Sequence, residues 1–210
     1  MGECMKQNLI LDFDDTLVHF VRPWLKWLRS KGLTKEIFSS KDVVHYDWFQ
    51  KNFGETSLDF FLKEPDKIYN AHGCQIPGSI AFLKRVQRLF NVKIVTHTSN
   101  ENILNSKSNF IKNIYHRNHN LNIDVSYFDI LHDKYKHIDG ILVDDFPLHI
   151  INHAAHNKQP AILFNYKNEN GWGYLENYKE LIKDLNPNME LIHYATNYEE
   201  ILDILEMLKK

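Results

Sequence analysis

The chain has 210 residues, 43% hydrophobic and 25% charged, a size that suits one compact domain or a core with a small appended module. Its 25 basic and 27 acidic side chains give a formal net charge of −2. That balance lacks the basic excess with which a protein neutralises duplex nucleic acid, while a few placed cations would still suffice for a small anionic substrate.

The first element expected is a buried strand over residues 8–13, an apolar run that stops abruptly at acids. Residues 20–75 follow, rich in aromatics and without a clear buried strand, and read as a small, mostly helical insertion. Pro77-Gly78 opens a helix to Phe90 whose apolar positions Ile80, Phe82, Leu83, Val86 and Leu89 share one face. A strand over 92–96, a helix over 100–115, a weaker strand over 127–131 and a strand over 141–143 come next. The Asn-rich stretch 113–122 reads as a solvated loop. A helix over 147–157, strands over 161–164 and 191–194, and a final helix capped by Asn197 complete the chain.

Strands alternating with helices predict an α/β fold, a Rossmann-like, mostly parallel sheet flanked by helices. The expected division is a core of residues 1–19 and 76–210, with a helical cap of residues 20–75 inserted after the first strand. Ligands of such sheets sit beyond the carboxyl ends of the strands. The acids after the first strand and after 141–143 should therefore face one crevice.

Cys4 and Cys74 form no metal-ligand pattern and suit a reducing compartment. No apolar run is long enough for a membrane span, and the first residues lack a signal-peptide layout, so the expectation is a cytoplasmic protein. Histidines are scattered. His149 and His153 have i,i+4 spacing without the intervening Glu of a zinc protease motif, and read as ordinary surface or half-buried residues.

The chemistry is concentrated in Asp12-Phe13-Asp14-Asp15-Thr16. Two carboxylates two positions apart at a strand end can converge, one attacking phosphorus while the other handles the proton. Their repulsion calls for a cation, and Mg2+ with its preference for oxygen suits them. Thr96 then stands at a second strand end, Lys134 follows the weaker strand, and Asp144-Asp145 close a further strand. Plainer roles exist for each: Asp15 or Thr16 as a helix cap, Thr96 in a turn, Lys134 as a surface charge, Asp144 or Asp145 as a cap. Their ordered recurrence at strand ends favours a joint site.

This ordered set resembles the motifs of the haloacid dehalogenase-like superfamily of phosphatases. Within it the chain is most similar to the 5′(3′)-deoxyribonucleotidases. Lys134 precedes Asp144 by ten positions, as in that family's lysine-to-acid-pair segment, and Phe20 stands where the family carries an aromatic lining the base pocket. The resemblance implies a magnesium-dependent phosphomonoesterase acting on (deoxy)nucleoside monophosphates through an aspartyl-phosphate. It makes Asp12 the nucleophile and Asp14 the acid and base, with Thr96 and Lys134 holding the phosphoryl oxygens. Mg2+ would be held by Asp12, the Asp14 backbone carbonyl and Asp145, with Asp144 behind them or acting through water. Substrate binding would fall to Phe20, Tyr46 and Trp48 together with Thr96 and Lys134. For each of these aromatics except Phe20, as for those of 24–28, packing within the insertion's own small core is the plainer reading.

Other readings are a phosphatase for another small phosphomonoester or for polynucleotide 3′-phosphate ends, a phosphotransferase, and a noncatalytic binding protein on the same fold. Mild acidity counts against the polynucleotide, and the joint occurrence of Asp12, Asp14 and Lys134 against the noncatalytic reading. The expected partner is a small nucleotide rather than a membrane or a duplex, and the sequence leaves room for a homodimer.

Overall fold

The computed structural model describes residues 6–45, 47–69, 74–128 and 133–209. A parallel sheet forms the centre, with strands β1 (Asn8–Leu11), β2 (Asn91–His97), β3 (Asp124–Phe128), β4 (Ile141–Asp144), β5 (Ala161–Phe164) and β6 (Ile192–Ala195) in the order β3-β2-β1-β4-β5-β6. This is the Rossmann-like α/β sheet anticipated from the sequence.

Strand sequences explain the layering. Leu9 and Leu11, Ile141 and Val143, and Ile162 and Phe164 point into one apolar cluster. Their alternates Ile10, Leu142, Ala161 and Leu163 enter a second cluster on the opposite face. Period-two alternation with both faces covered is why these strands are apolar throughout. Each fully buried Leu, Ile or Phe contributes roughly 1.5–3 kcal/mol relative to exposure.

Helix α5 (Ser79–Leu89) and helix α9 (Tyr198–Leu208) cover the first face through residues such as Phe82, Leu83, Ile201 and Leu205. Pro77 lies outside α5, not in its first turn: Gly78, at φ 94°, is the N-cap, and the ring of Tyr198 stands 3.2 Å from where a Cβ would project. Asn197 caps α9 as expected, its side chain accepting from the Glu200 N–H.

Helix α6 (Glu101–Phe110) is capped by Asn100, and helix α7 (Pro147–Asn152) begins at its proline. Both run on as wider π-helical turns, Ile111–Asn118 and His153–Asn157. The expectation of a solvated loop at 113–122 is therefore corrected over its first part. Ile111 and Tyr115 are buried, and the Tyr115 ring packs edge-on against Phe13 and Phe110, a pull that polar composition does not reveal. Helix α8 (Lys179–Leu185) and the short turns Tyr166–Asn168 and Leu175–Tyr178, which carried no clear sequence signal, fill the long β5–β6 connection.

Between β1 and α5 the chain makes helices α1 (Val21–Ser30), α2 (Trp48–Phe53), α3 (Asp59–Lys63) and α4 (Asp66–Tyr69). The Trp24 ring stacks on Phe49 with centroids 3.6 Å apart, and its Nε1 donates to the Ser57 carbonyl at 2.7 Å. The two chain segments joining this region to the sheet run side by side. The His19 N–H donates to the Cys74 carbonyl at 2.6 Å and the Ile76 N–H to the Leu17 carbonyl at 3.0 Å.

Among the described residues no helix is long and apolar enough to cross a membrane.

Candidate functional site

The strand order reverses direction between β1 and β4, which are neighbours in space although β2 and β3 intervene in sequence. A crevice opens at such a switch point, beyond the carboxyl ends of the strands. Leu11 pairs with Val143, and the Asp12 N–H donates to the Val143 carbonyl at 2.9 Å, so Asp12 and Asp144 stand side by side at its edge.

Lys134, in the turn Lys134–His137, reaches between them. Its Nζ donates to Asp12 Oδ1 at 2.5 Å and to Asp144 Oδ2 at 2.6 Å, and all three side chains are buried. Asp144 is further engaged by the Phe146 N–H at Oδ1 and by His149, whose Nδ1 lies 2.9 Å from Oδ2. Burial opposes its charge, but His149 and Lys134 outweigh that and hold its carboxyl below the usual range. The same two acids raise the pKa of Lys134 against its own burial.

Asp145 turns the other way. Its Oδ2 accepts from Asn170 Nδ2 and Trp172 Nε1, each at 2.8 Å, on the segment after β5. Gly171 between them packs against the 40–43 backbone, its N–H donating to the Ser40 carbonyl at 2.9 Å. Burial, then the neighbouring Asp15, Asp144 and Asp12, push the Asp145 carboxyl well above its ordinary range. Burial likewise raises Asp12 to about 6, Lys134 only partly offsetting it.

Asp14 is held from both sides. Tyr69 on α4 donates to its Oδ1 at 2.9 Å, and Lys107 on α6 donates to its Oδ2 at 2.6 Å. Lys107 also donates to Thr96 Oγ1 and to the His97 carbonyl, each at 2.7 Å. Asp15, at φ 48°, takes the capping role: its carboxylate accepts from the Phe20 and Val21 N–H groups at the start of α1, and burial raises it to about 7.

Ligand atoms of Asp12, Asp144 and Asp145 all lie within 4.8 Å of one another, the cluster of this kind found among the described residues. The donor set is hard oxygen, as magnesium requires. Burial first, and then the neighbouring carboxylates, shift Asp12, Asp15 and Asp145 upward, so a cation here would offset negative charge that is otherwise uncompensated. These residues fit a divalent cation. Both Asp144 oxygens already accept hydrogen bonds, which makes Asp12 and Asp145 the better placed ligands.

The acids border a cavity of about 80 Å³ whose wall includes Phe20, Phe61, Tyr69, Phe146 and Trp172. The sequence-predicted residues Asp12, Asp14, Thr96, Lys134, Asp144 and Asp145 thus come together, and Phe20 stands at the cavity wall. Trp48 does not line it; that ring packs edge-on against Phe38, Phe49 and Phe53. Tyr46 lies outside the described residues.

Lys107, His149, Asn170, Trp172, Tyr69 and Phe61 were not anticipated. Lys107 had a legible signal: with Ile103, Ser106 and Phe110 it falls on one helical face, a lysine where an apolar residue belongs. The reading of His149 and His153 as surface or half-buried is corrected. Both are buried, His149 against Asp144 and His153 with Nε2 2.9 Å from the Gly140 carbonyl, because α7 packs on the sheet.

No protein-family model and no curated protein matches the chain in sequence. Solved structures do match its fold. A haloacid dehalogenase-like family hydrolase from Streptococcus pneumoniae superposes with a TM-score of 0.59 at 12% identity, covering 95% of this chain and 98% of that one. A HAD-hydrolase from Bacillus subtilis, solved with magnesium bound, gives 0.53 at 14% identity over 96% and 99%. A haloacid dehalogenase-like hydrolase from Burkholderia xenovorans gives 0.52 at 10% over 95% and 96%. At these identities the likeness is one of fold.

Proposed function

We propose that the chain is a magnesium-dependent phosphomonoesterase that hydrolyses nucleoside monophosphates, deoxyribonucleotides among them, through a phosphoaspartate on Asp12. The observation that carries this reading is Lys134 bridging Asp12 and Asp144 beside Asp145 at the switch point of the sheet. The fold shared with haloacid dehalogenase-like hydrolases supports it by analogy.

In this mechanism Asp12 attacks phosphorus, the bond to the leaving oxygen breaks, and Asp14 gives that oxygen its proton. Water then attacks the phosphoaspartate and passes a proton to Asp14, and the bond between phosphorus and the Asp12 oxygen breaks to release phosphate. Lys134 orients Asp12 and, with Thr96, stabilises charge on the phosphoryl oxygens. Magnesium, held by Asp12, Asp145 and the Asp14 backbone carbonyl, would supply positive charge against the crowded carboxylates and the phosphoryl group.

The cavity has room for a phosphoryl group but is small beside the roughly 300–1,000 Å³ of pockets that enclose drug-sized ligands. A nucleoside would extend past Phe20 and Phe61 and require the helices over 20–69 to yield. Half-buried aromatic rings at that edge support stacking with a base.

The test is phosphate release from 5′- and 3′-mononucleotides, deoxy and ribo, with magnesium and with EDTA, alongside an aryl phosphate and a 3′-phosphorylated oligonucleotide. Magnesium-dependent release favouring deoxymononucleotides is expected. Release from the aryl phosphate alone would remove the nucleotide specificity, and silence across the set would remove the phosphatase reading.

A further inference from the structure

Lys107 is a buried lysine, 1% exposed, on a helix face otherwise made of Ile103, Ser106 and Phe110. Burying an ammonium costs several kcal/mol unless partners replace its water. Here its three donors meet three acceptors: Asp14 Oδ2, Thr96 Oγ1 and the His97 carbonyl, at 2.6–2.7 Å. The rings of Phe13 and Tyr69 stand 5.9 and 5.8 Å from its Nζ. A methionine or leucine would satisfy the packing alone, so what the charge adds is its grip on those oxygens.

We propose that Lys107 is a positioning residue that aims Asp14 at the leaving oxygen. The inference rests on the phosphatase reading and extends it. Asp14 is the group that must meet the departing oxygen, and it is fixed through both of its own oxygens, one by Lys107 and one by Tyr69. Because Thr96 Oγ1 accepts from Lys107, its own hydroxyl hydrogen is left to donate elsewhere, and Thr96 lines the cavity. Lys107 itself borders the cavity, but its three donors are engaged by Asp14, Thr96 and the His97 carbonyl, so its effect on the leaving oxygen passes through Asp14.

The distinguishing property is dependence on the leaving group. A basic alkoxide leaves only with a proton, whereas p-nitrophenolate leaves without one. Misplacing Asp14 should therefore slow the first far more than the second. A merely structural defect would slow both alike.

The experiment compares wild type with Lys107→Met on p-nitrophenyl phosphate, phenyl phosphate and thymidine 5′-monophosphate, with magnesium present. The loss in kcat/KM, which reports cleavage of the ester bond and not the shared hydrolysis of the phosphoaspartate, is expected to grow with leaving-group basicity. It should be under about 10-fold for p-nitrophenyl phosphate and about 100-fold or more for the most basic leaving group turned over. Combined with Asp14→Asn, Lys107→Met should add little further loss on that ester, since the two act as one unit. If melting curves show that Lys107→Met does not fold, Lys107→Gln carries the same comparison with the same expected split. Equal losses on all esters, or none, would overturn the positioning role alone. A wild-type chain inert toward all three would overturn the phosphatase reading and this role with it.

Discussion

Trp172 donates its indole N–H to Asp145 Oδ2 across 2.8 Å, tying the segment after β5 to the acid that follows β4. Asn170 shares the same oxygen. Groups that orient a metal-binding carboxylate typically change affinity by 10–100-fold when lost. Trp172→Phe keeps the packing and removes the donor. Its magnesium affinity, read from the magnesium dependence of activity or of melting temperature, should fall by about that factor.

Gly171 separates these two donors, and a Cβ there would lie 2.3 Å from the Lys41 carbonyl oxygen and 2.7 Å from that of Val43. Both obstacles are backbone, so neither can swing aside. Gly171→Ala should destabilise the chain by about 1–3 kcal/mol through overpacking. At roughly 2–4 °C per kcal/mol this is readable in a thermal melt. The same substitution should weaken magnesium binding, because the displaced segment carries Asn170 and Trp172. Unchanged melting and unchanged magnesium response would show that the segment repacks freely.

Lys134 lies between Asp12 and Asp144 and stabilises both as carboxylates. Asp12→Asn should leave no measurable phosphate release from a folded chain. Lys134→Ala should lower kcat by about 10²–10³, the range for removing one preorganised donor to a developing charge. Substantial turnover by Asp12→Asn would exclude the covalent route, and a near-normal rate for Lys134→Ala would exclude its catalytic role.

Burial raises Asp12 to about 6 and Asp15 to about 7, and raises Asp145 as well. A carboxyl with a higher pKa folded than unfolded makes the folded state bind more protons between those values, so stability falls as pH rises through that window. For the metal-free chain the window runs from the ordinary carboxyl range near 4 to about 7. His19, lowered to about 4 mainly by burial, acts in the opposite sense, its contribution being lost as pH falls from 6.5. The comparison is therefore made against Asp145→Asn. In EDTA near neutral pH this variant should melt higher than wild type by about 2 °C or more. Its advantage should shrink near about pH 5. Magnesium should raise the wild-type melting temperature and leave the variant's nearly unchanged. Equal responses of the two chains to pH and to magnesium would mean that Asp145 carries none of the uncompensated charge.

Several features of this chain were fixed by its residues alone. Strands covered on both faces are apolar along their whole length, so β1, β4 and β5 stand out as short hydrophobic runs. Asp12, Asp14, Asp144 and Asp145 mark where β1 and β4 leave the core, which located the carboxyl ends of the two central strands and most of the candidate site. Asn100 and Asn197, as N-caps, announced the starts of α6 and α9.

What only the tertiary structure decided concerns who meets whom. Periodicity tells which side chains share a face, but not what that face abuts. The aromatic Trp48 was a candidate for the pocket wall although packing was the plainer reading, and Phe38, Phe49 and Phe53 claimed it. Lys107 was visible as a lysine on an apolar face, yet its partner Asp14 stands 93 positions earlier and meets it only through the β1–β2 adjacency and the packing of α6. Asn170 and Trp172 carry no motif at all; the placement of β5 beside β4 brings them to Asp145. Charges and strand ends are local properties of a sequence, whereas the buried partners that hold those charges in place are selected by close packing across the sheet.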